Sequence, residues 1–271
     1  MSDAQAAIES LISGRKLQAG LVFDASVDGF AVSAPEETCS QLPEEQGGVP
    51  VTCTVVDSAG RGVYVNGTPA PFRGGTVAIG QPRNYPSTSP YNRRCTTGIP
   101  ARLSNGTVGL FTAGHCFRLT SHVFNNTNLN GGSNIGRVSH AYSFPAVDAQ
   151  FISGKTYGNA IFVGNAPKPT IGSYSPPVGT RVCFQGSTSN YNCTNVVRFY
   201  GGTFCDPEGC SKNLMAVSGG QRVLQGDSGG PAYVNFGSSV KVSGLTTAYT
   251  GGFSYITPWS VVSSRYSASL L

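Results

Sequence analysis

Residue types that together could carry out acyl transfer are spread along this chain of 271 residues. Ser228 lies in "GDSGGP", residues 226–231, where glycines let the backbone turn tightly and keep bulk away from the hydroxyl. A serine hydroxyl is a weak nucleophile that needs an imidazole base, a carboxylate to orient the base, and N–H donors for the oxyanion. A tight turn with a capping serine is the alternative. The length of the motif favours a nucleophile, with the N–H groups of Gly226 and Ser228 as the oxyanion-hole donors.

The base should be a histidine at the end of a strand, and the chain has three histidines. His122 in "TSHVF" and His140 in "VSHAY" fit ordinary strand residues. His115 in "FTAGHC" differs, because an apolar run there ends in small residues and Cys116 follows directly. A disulfide at Cys116 would fix the turn that carries the imidazole. We therefore predict that His115 is the base.

The orienting carboxylate is found by elimination among the acidic residues between this histidine and the serine. These are Asp148, Asp206, Glu208 and Asp227. Two of them belong to the tight turn "CDPEGC", and Asp227 adjoins the serine, so that its side chain should point away from the imidazole. Asp148 lies in the otherwise apolar run "PAVDAQFI", where an unpaired charge would be costly. A surface aspartate on an edge strand is the alternative, and we predict that Asp148 orients His115.

The composition indicates the scaffold that must position these groups. Only 11% of the residues are charged, 36 are glycine, and short β-type runs alternate with turns, which is typical of an all-β barrel or sandwich. Eight cysteines, none of them in a Cys-x-x-Cys motif, indicate an oxidising compartment and argue against zinc. No apolar run is long enough to cross a membrane, and no signal peptide is recognised at the start. We expect a secreted protein without a cofactor, a bound metal or a membrane partner.

The first 72 residues differ from the rest. The predicted elements are a helix over residues 3–17, two strands around an Asp-Gly turn over residues 20–35, and a strand over residues 49–57. Cys39 and Cys53 are the only cysteines of this part and should pair. Such a small α+β module is marginal alone, and one crosslink would help it.

Charge and composition predict a boundary between residues 1–72 and residues 73–271. The first part carries nine acidic and three basic residues, a net −6, and the second four acidic and fifteen basic residues, a net +11. Opposite charges suggest that the two parts attract each other. The basic residues of the second part are scattered, without an aromatic-basic stripe, so we do not expect a nucleic-acid partner. Residues 68–92, rich in Pro, Gly and Ser, are predicted to be a linker.

The order His115, Asp148, Ser228, with "TAGHC" and "GDSGGP", closely resembles the chymotrypsin-like serine proteases over about residues 73–271. The segment "GTRVCFQGSTSNYNC", residues 179–193, is similar to the bacterial branch that includes streptogrisins and α-lytic protease. The resemblance implies two six-stranded antiparallel β-barrels with the triad in the cleft between them, and endopeptidase activity through an acyl-enzyme. It also implies the bridges Cys95–Cys116 and Cys183–Cys193, with Cys205–Cys210 as a local addition.

The resemblance also suggests a role for the N-terminal part. Proteases of this group are made with a pro-segment, and residues 1–72 resemble its C-terminal portion. They are then a folding assistant and intramolecular inhibitor of a monomeric zymogen, cut off between about residues 68 and 91. The rival hypothesis is an accessory binding domain that the mature enzyme keeps. A catalytically silent homologue that only binds proteins is the alternative to a peptidase acting on proteins or peptides.

Specificity is predicted from the stretches that line the primary pocket in the family. The residues at these positions are Arg222, Gln225, Thr247, Tyr249 and Phe253. No aspartate lies there, which argues against a preference for Lys or Arg. Tyr249 and Phe253 could fill the pocket and favour small side chains, whereas Arg222 could favour acidic ones.

One departure from the bacterial branch concerns Asp227. A basic residue of the "VCxxG" segment usually pairs with this aspartate, and Phe184 occupies its place here. Asp227 therefore needs another partner: Arg181, Arg222 or a new N-terminus released by cleavage.

Overall fold

The structure is a computed structural model of the chain, and most of its described residues lie in β-strands. The described residues are 2–14, 19–24, 29–34, 39–55, 68–83, 93–125, 132–140, 144–250 and 252–271. Within them, no helix has the length and apolar character that crossing a membrane requires.

The described residues of the N-terminal part include a long helix and four strands. They are α1 (Ser2–Gly14), β1 (Ala19–Asp24), β2 (Gly29–Ala34), β3 (Glu45–Gln46) and β4 (Val49–Val55). Helix α1 forms where the sequence predicts it, because Ala4, Ile8 and Ile12 repeat at helical spacing and share one buried face. That face packs on Leu21 and Phe30 of the strands behind it.

Eight strands follow in the described part of the chain, and all of them except the first belong to an eight-stranded sheet that one strand from the C-terminus completes. They are β5 (Phe72–Gly74), β6 (Val77–Gly80), β7 (Arg93–Thr96), β8 (Pro100–Leu103), β9 (Val108–Thr112), β10 (His122–Phe124), β11 (Asn134–His140) and β12 (Gln150–Ser153). The order in this sheet is β8-β9-β12-β11-β10-β6-β7, with the C-terminal strand β21 (Ala268–Leu270) beside β8, while β5 pairs elsewhere. Strands β9 and β12 are neighbours, and both lead to predicted site residues.

The remaining strands belong to a second sheet, apart from the last one. They are β13 (Tyr157–Val163), β14 (Ala166–Ser173), β15 (Arg181–Gly186), β16 (Asn190–Asp206), β17 (Gly209–Ser218), β18 (Pro231–Phe236), β19 (Ser239–Thr250) and β20 (Phe253–Pro258), followed by helix α2 (Trp259–Tyr266) and strand β21 (Ala268–Leu270). The second sheet has thirteen strands and includes β1 to β5.

The strand pairing differs from the expected six strands in each of two units. Among the described residues the sheets have thirteen and eight strands; β1 to β4 extend the first, and β21 pairs with β8 in the second. Most pairs are antiparallel, but β2–β4, β5–β13 and β14–β19 are parallel. The closure of each sheet into a barrel stays a prediction.

The predicted linker over residues 68–92 is wrong for its first half. Phe72 and Val77 are buried, and strands β5 and β6 pair with strands of the larger part. A boundary between residues 72 and 73 would cut β5. Short strands with glycines on both sides lack the length that would reveal them in the sequence, and residues 84–92 lie outside the described part of the chain.

The N-terminal part docks on the hairpin formed by β16 and β17. Strand β1 pairs antiparallel with β16, with Ala19 opposite Cys205 and Leu21 opposite Thr203. Cys205 is fully buried in the same cluster as Ile8 and Leu21. The two parts of the chain therefore share a sheet and an apolar contact.

Four disulfides join the eight cysteines in pairs. They are Cys39–Cys53, Cys95–Cys116, Cys183–Cys193 and Cys205–Cys210. The last one lies at the end of the hairpin that receives β1, so this local bridge belongs to the contact between the two parts.

Candidate active site

His115 and Asp148 meet because the strands that lead to them are paired. Strand β9 ends three residues before His115, β12 begins two residues after Asp148, and Thr112 stands opposite Gln150. The Asp148 carboxylate is fully buried and accepts a hydrogen bond of 2.9 Å from the backbone N–H of His115. Its Oδ2 lies 2.9 Å from Nδ1 of the imidazole. The carboxylate thus holds the Nδ1 side of the ring and leaves Nε2 for proton transfer.

Side chains of the C-terminal half contact the backbone carbonyls of Asp148 and its neighbour Ala149. The hydroxyl of Thr257 lies 3.5 Å from the carbonyl oxygen of Asp148 and 2.7 Å from the hydroxyl of Thr247. Tyr266 of α2 donates a hydrogen bond of 2.5 Å to the carbonyl of Ala149. Thr247, predicted to bind substrate, is buried and belongs to this group of hydrogen-bonded side chains.

A second group of residues lies near the imidazole. The Phe144 ring is 6.2 Å from that of His115, and the Arg83 guanidinium lies 5.1 Å above Phe144. Arg83 also forms an ion pair of 3.0 Å with Glu208 at the tip of the β16–β17 hairpin. The same hairpin that receives the N-terminal part therefore reaches the neighbourhood of His115.

Asp206 lies in this hairpin tip, at the tight turn predicted from "CDPEGC". Its Oδ1 accepts the backbone N–H groups of Glu208 and Gly209 at 2.8 and 3.2 Å. Burial raises the pKa of Asp206, and the charge of His115 opposes this shift. The carboxylate thus lies within electrostatic range of the imidazole. In the sequence, the feature that could have drawn attention to Asp206 is the scarcity of acidic residues in residues 73–271.

The Ser228 loop is attached to the same elements. The backbone carbonyl oxygen of Ser228 accepts a hydrogen bond of 2.8 Å from the N–H of Thr96. It lies 3.9 Å from Sγ of Cys116, the residue after His115. The disulfide from Cys116 to Cys95 therefore links the turn of the histidine to the strand that holds the serine loop. Cys95, His115 and Cys116 also bring three potential metal-ligand atoms together, but the two sulfurs are joined in the disulfide and are not thiolates.

The carboxylate of Asp227 finds its partners in the turn between β15 and β16. It accepts hydrogen bonds from the N–H of Thr188 at 2.8 Å, from the N–H and hydroxyl of Ser189 at 3.0 and 2.5 Å, and from the N–H of Leu224 at 2.8 Å. Burial raises its pKa, and these hydrogen bonds oppose the shift. Three amides and a hydroxyl thus take the role for which the sequence suggested Arg181, Arg222 or a new N-terminus.

Comparisons with known proteins address the fold. No protein-family model matches the chain, and no curated protein does either. Solved structures match it well. Thermobifida fusca protease A has 24% identical residues and a TM-score of 0.57, over 73% of this chain and 97% of that chain. The Nocardiopsis protease has 24% identical residues and a TM-score of 0.56, over 73% of this chain and 97% of that chain.

A third structure is described as a glutamic acid-specific serine protease that uses a histidine triad in substrate binding. It has 21% identity and a TM-score of 0.57, over 74% of this chain and all of that chain. This chain has the chymotrypsin-like serine protease fold. At these identities, the likeness establishes the fold and leaves the residue roles to the geometry of the site.

Within this serine protease fold, the predicted substrate-binding residues do not form one group. The guanidinium of Arg222 lies 5.1 Å from the ring centre of Tyr249, and Gln225 is exposed. Tyr249 pairs with Ser254, whose hydroxyl accepts the N–H of Val223 at 3.2 Å. Ser254 and Val223 therefore lie beside Tyr249; both belong to the stretches predicted to line the pocket, but neither was among the predicted substrate-binding residues.

Phe253 faces away from this group, contrary to its predicted position beside Tyr249. It stands opposite Thr250 in the β19–β20 hairpin, one residue out of phase with Tyr249, and therefore on the other face. Its ring packs at 5.4 Å from Phe199 in a separate apolar cluster with Ala248.

Proposed function

We propose that the chain is a secreted, monomeric serine endopeptidase in which Ser228 is the nucleophile, His115 the general base and Asp148 the group that orients the base. One observation carries the proposal: a fully buried carboxylate is bonded to Nδ1 of a histidine next to a glycine-rich serine loop. The N–H groups of Gly226 and Ser228 are the proposed oxyanion-hole donors. The fold of bacterial serine proteases supports the same reaction class.

The proposed reaction has two stages. Oγ of Ser228 attacks the scissile carbonyl while Nε2 of His115 takes its proton, and the oxyanion forms in the hole. Collapse breaks the C–N bond, the amine leaves with the proton from Nε2, and an acyl-enzyme remains. Water then attacks the ester, His115 again accepts and returns a proton, and the acid product and free Ser228 are formed. Asp148 stabilises the imidazolium in both stages.

A serine-directed fluorophosphonate probe tests the nucleophile. We expect the probe to label the enzyme, once freed of its N-terminal part, stoichiometrically at Ser228, and labelling to fail in Ser228→Ala and to fall strongly in His115→Ala. Labelling of another serine, or none in the correctly folded wild-type protein, would favour the catalytically silent homologue.

For substrate preference we propose that Arg222, Tyr249 and Gln225 face the side chain that precedes the scissile bond. The stacked guanidinium of Arg222 supports an acidic side chain over a small apolar one. A cleavage profile on a peptide library tests this, with Arg222→Gln as the comparison. A wild-type preference for small residues would instead assign Tyr249 as the group that fills the pocket.

We further propose that residues up to about 71 are a pro-segment, which assists folding and inhibits the finished enzyme. The pairing of β1 with β16 and the apolar contact of Ile8 and Leu21 with Cys205 support a docked unit. The likeness to the solved proteases covers 73% of the chain, about the share of the remaining residues. Because Phe72 begins a buried strand, we now place the cut before it rather than up to residue 91.

A further inference from the structure

The peptide between Gln225 and Gly226 decides whether one proposed oxyanion donor is in place. A trans peptide directs its C=O and its N–H to opposite sides, so the direction of the Gln225 carbonyl sets that of the Gly226 N–H. Gly226 has a φ of +104°, a region in which glycine moves easily. This peptide could therefore rotate unless neighbouring groups hold it.

Thr188 holds the carbonyl end of this peptide. Its hydroxyl donates a hydrogen bond of 2.7 Å to the carbonyl oxygen of Gln225. The same hydroxyl oxygen lies 2.7 Å from Nη2 of Arg94. Because a guanidinium can only donate, Thr188 must accept from Arg94 and use its single hydrogen for Gln225. The positive charge of Arg94 thus polarises the hydroxyl that holds the peptide.

The next groups of the loop are held by the same turn. The Gly226 carbonyl accepts the hydroxyls of Thr96 at 2.8 Å and Ser187 at 2.6 Å. The Asp227 carboxylate accepts the amides of the turn, Thr188 among them. Among the described residues, the N–H groups of Gly226 and Ser228 donate to no other group. The loop is therefore fixed at its carbonyls and its carboxylate, while the two N–H groups remain available.

Space around Gly226 supports the same conclusion. A Cβ at this position would lie 2.4 Å from the hydroxyl oxygen of Thr188 and 3.0 Å from Nε of Arg94. Arg94, the residue before Cys95 in β7, thus packs directly against the peptide that it helps to hold.

We propose that Arg94 and Thr188 are positioning residues, which keep the Gly226 N–H directed into the oxyanion hole of the protease proposed above. The proposal rests on that function. It also answers the question raised by Phe184: the hole is assembled by the turn of residues 187–189 and Arg94, without a cationic partner for Asp227. A new N-terminus is then not needed to form it.

The test compares Thr188→Val, which loses the hydroxyl, with Thr188→Ser, which keeps it. Removal of an oxyanion donor lowers kcat by about 10²–10³-fold in other enzymes. We expect Thr188→Val to lose about tenfold or more of kcat, less than complete loss of the donor, with KM changed by less than about twofold. Thr188→Ser should restore most of the rate. Arg94→Ala should lower kcat less than Thr188→Val does. The double variant should have the same kcat as Thr188→Val.

A second measurement separates positioning from a general structural role. A peptidyl trifluoromethyl ketone forms a hemiketal oxyanion with the serine, whereas the matching peptide acid binds without one. We expect the ketone to lose affinity for Thr188→Val in proportion to kcat/KM, and the acid to bind as in the wild type.

The outcomes distinguish this proposal from the function on which it rests. Ser228-dependent hydrolysis in the wild type, with unchanged kcat and ketone affinity in Thr188→Val, overturns the positioning role and leaves the protease standing. Equal losses for the ketone and the acid also overturn it. If Thr188→Val does not fold, the half-buried Arg94→Ala carries the same comparison. Absence of any Ser228-dependent hydrolysis in the wild type overturns both.

Discussion

Gly186 lies so close to Asp227 that a Cβ at position 186 would stand 2.1 Å from Oδ1 of the carboxylate. This oxygen accepts the N–H groups of Thr188 and Ser189. The absence of a side chain at Gly186 therefore leaves space for the Asp227 carboxylate, whose hydrogen bonds hold the serine loop.

The first prediction follows from this contact. Gly186→Ala should displace the Asp227 carboxylate and with it the proposed oxyanion hole, so we expect kcat/KM to fall by about 10²-fold or more. The control is Gly158→Ala, because a Cβ at position 158 would meet its neighbours only at 3.5 Å or more. Kinetics on one peptide and thermal unfolding of both variants make the comparison. Equal activity in the two variants would contradict the role given to this contact.

The local environment of a residue could be read from the sequence more readily than its distant partners. Asp148 in an apolar run predicted a buried charge with a partner, and the structure pairs it with His115. The partners of Asp227 could not be predicted, because they are amides that a turn some forty residues earlier presents only after β15 and β16 have paired. Backbone donors carry no signature in residue type.

Phe253 illustrates a second limit. The face of a hairpin on which a residue lies depends on the register, and in the β19–β20 pair Thr250 stands opposite Phe253 while Tyr249 stands opposite Ser254. An irregularity of one residue moves every later side chain to the other face. The pairing of β1 with β16 was equally out of reach, because it joins segments far apart in the chain.

The second prediction concerns the proposed triad. Ser228→Ala and His115→Ala should each remove nearly all peptidase activity with little change in thermal stability. Because triad members act as a unit, the double variant should be barely slower than either single variant. Steady-state rates on one peptide, with the single and double variants prepared together, test this. Additive losses, or normal turnover by Ser228→Ala, would contradict the assignment.

The third prediction concerns the stability of the hairpin tip as a function of pH. Burial raises the pKa of Asp206 above its ordinary value, so the folded protein holds this proton more tightly than the unfolded chain. The ionised carboxylate is therefore unfavourable in the fold, and its contribution to stability declines as pH rises through the acidic range. Asp206→Asn keeps an oxygen for the two N–H groups and lacks this decline.

We expect Asp206→Asn to gain stability relative to the wild type between about pH 3.5 and pH 7. Urea unfolding at both pH values measures the difference. Glu208→Gln is the control on the same turn, because it removes a half-exposed ion pair with Arg83 and should lose at most about 1 kcal/mol at pH 7. A difference between Asp206→Asn and the wild type that shrinks as pH rises would refute the expected sign.

The fourth prediction addresses the charge contact between the two parts of the chain. Glu9 is nearly buried and lies 2.5 Å from Nζ of Lys212 on β17. Lys212→Glu would place two carboxylates together, and we expect it to weaken the docking of the separate N-terminal fragment by about tenfold or more. The swap of both charges, Glu9→Lys with Lys212→Glu, should recover part of the affinity. Calorimetric titration measures the affinity of the fragment. A Lys212→Glu variant that binds the fragment like the wild type would show that this ion pair does not contribute to docking.

The last prediction tests the role of the N-terminal part in folding. A β-protease has many non-local contacts and folds slowly, and a partner that pairs with β16 and covers Cys205 could stabilise the second sheet before the rest is formed. We expect residues 1–70 to raise the yield of active enzyme when residues 71–271 are refolded, and to inhibit the finished enzyme at low salt. The fragment with Glu9→Lys should do both less well, because its charge contact with Lys212 is lost. A fragment that neither raises the yield nor inhibits would favour an accessory domain, since docking without an effect on folding or activity is what a retained binding module requires.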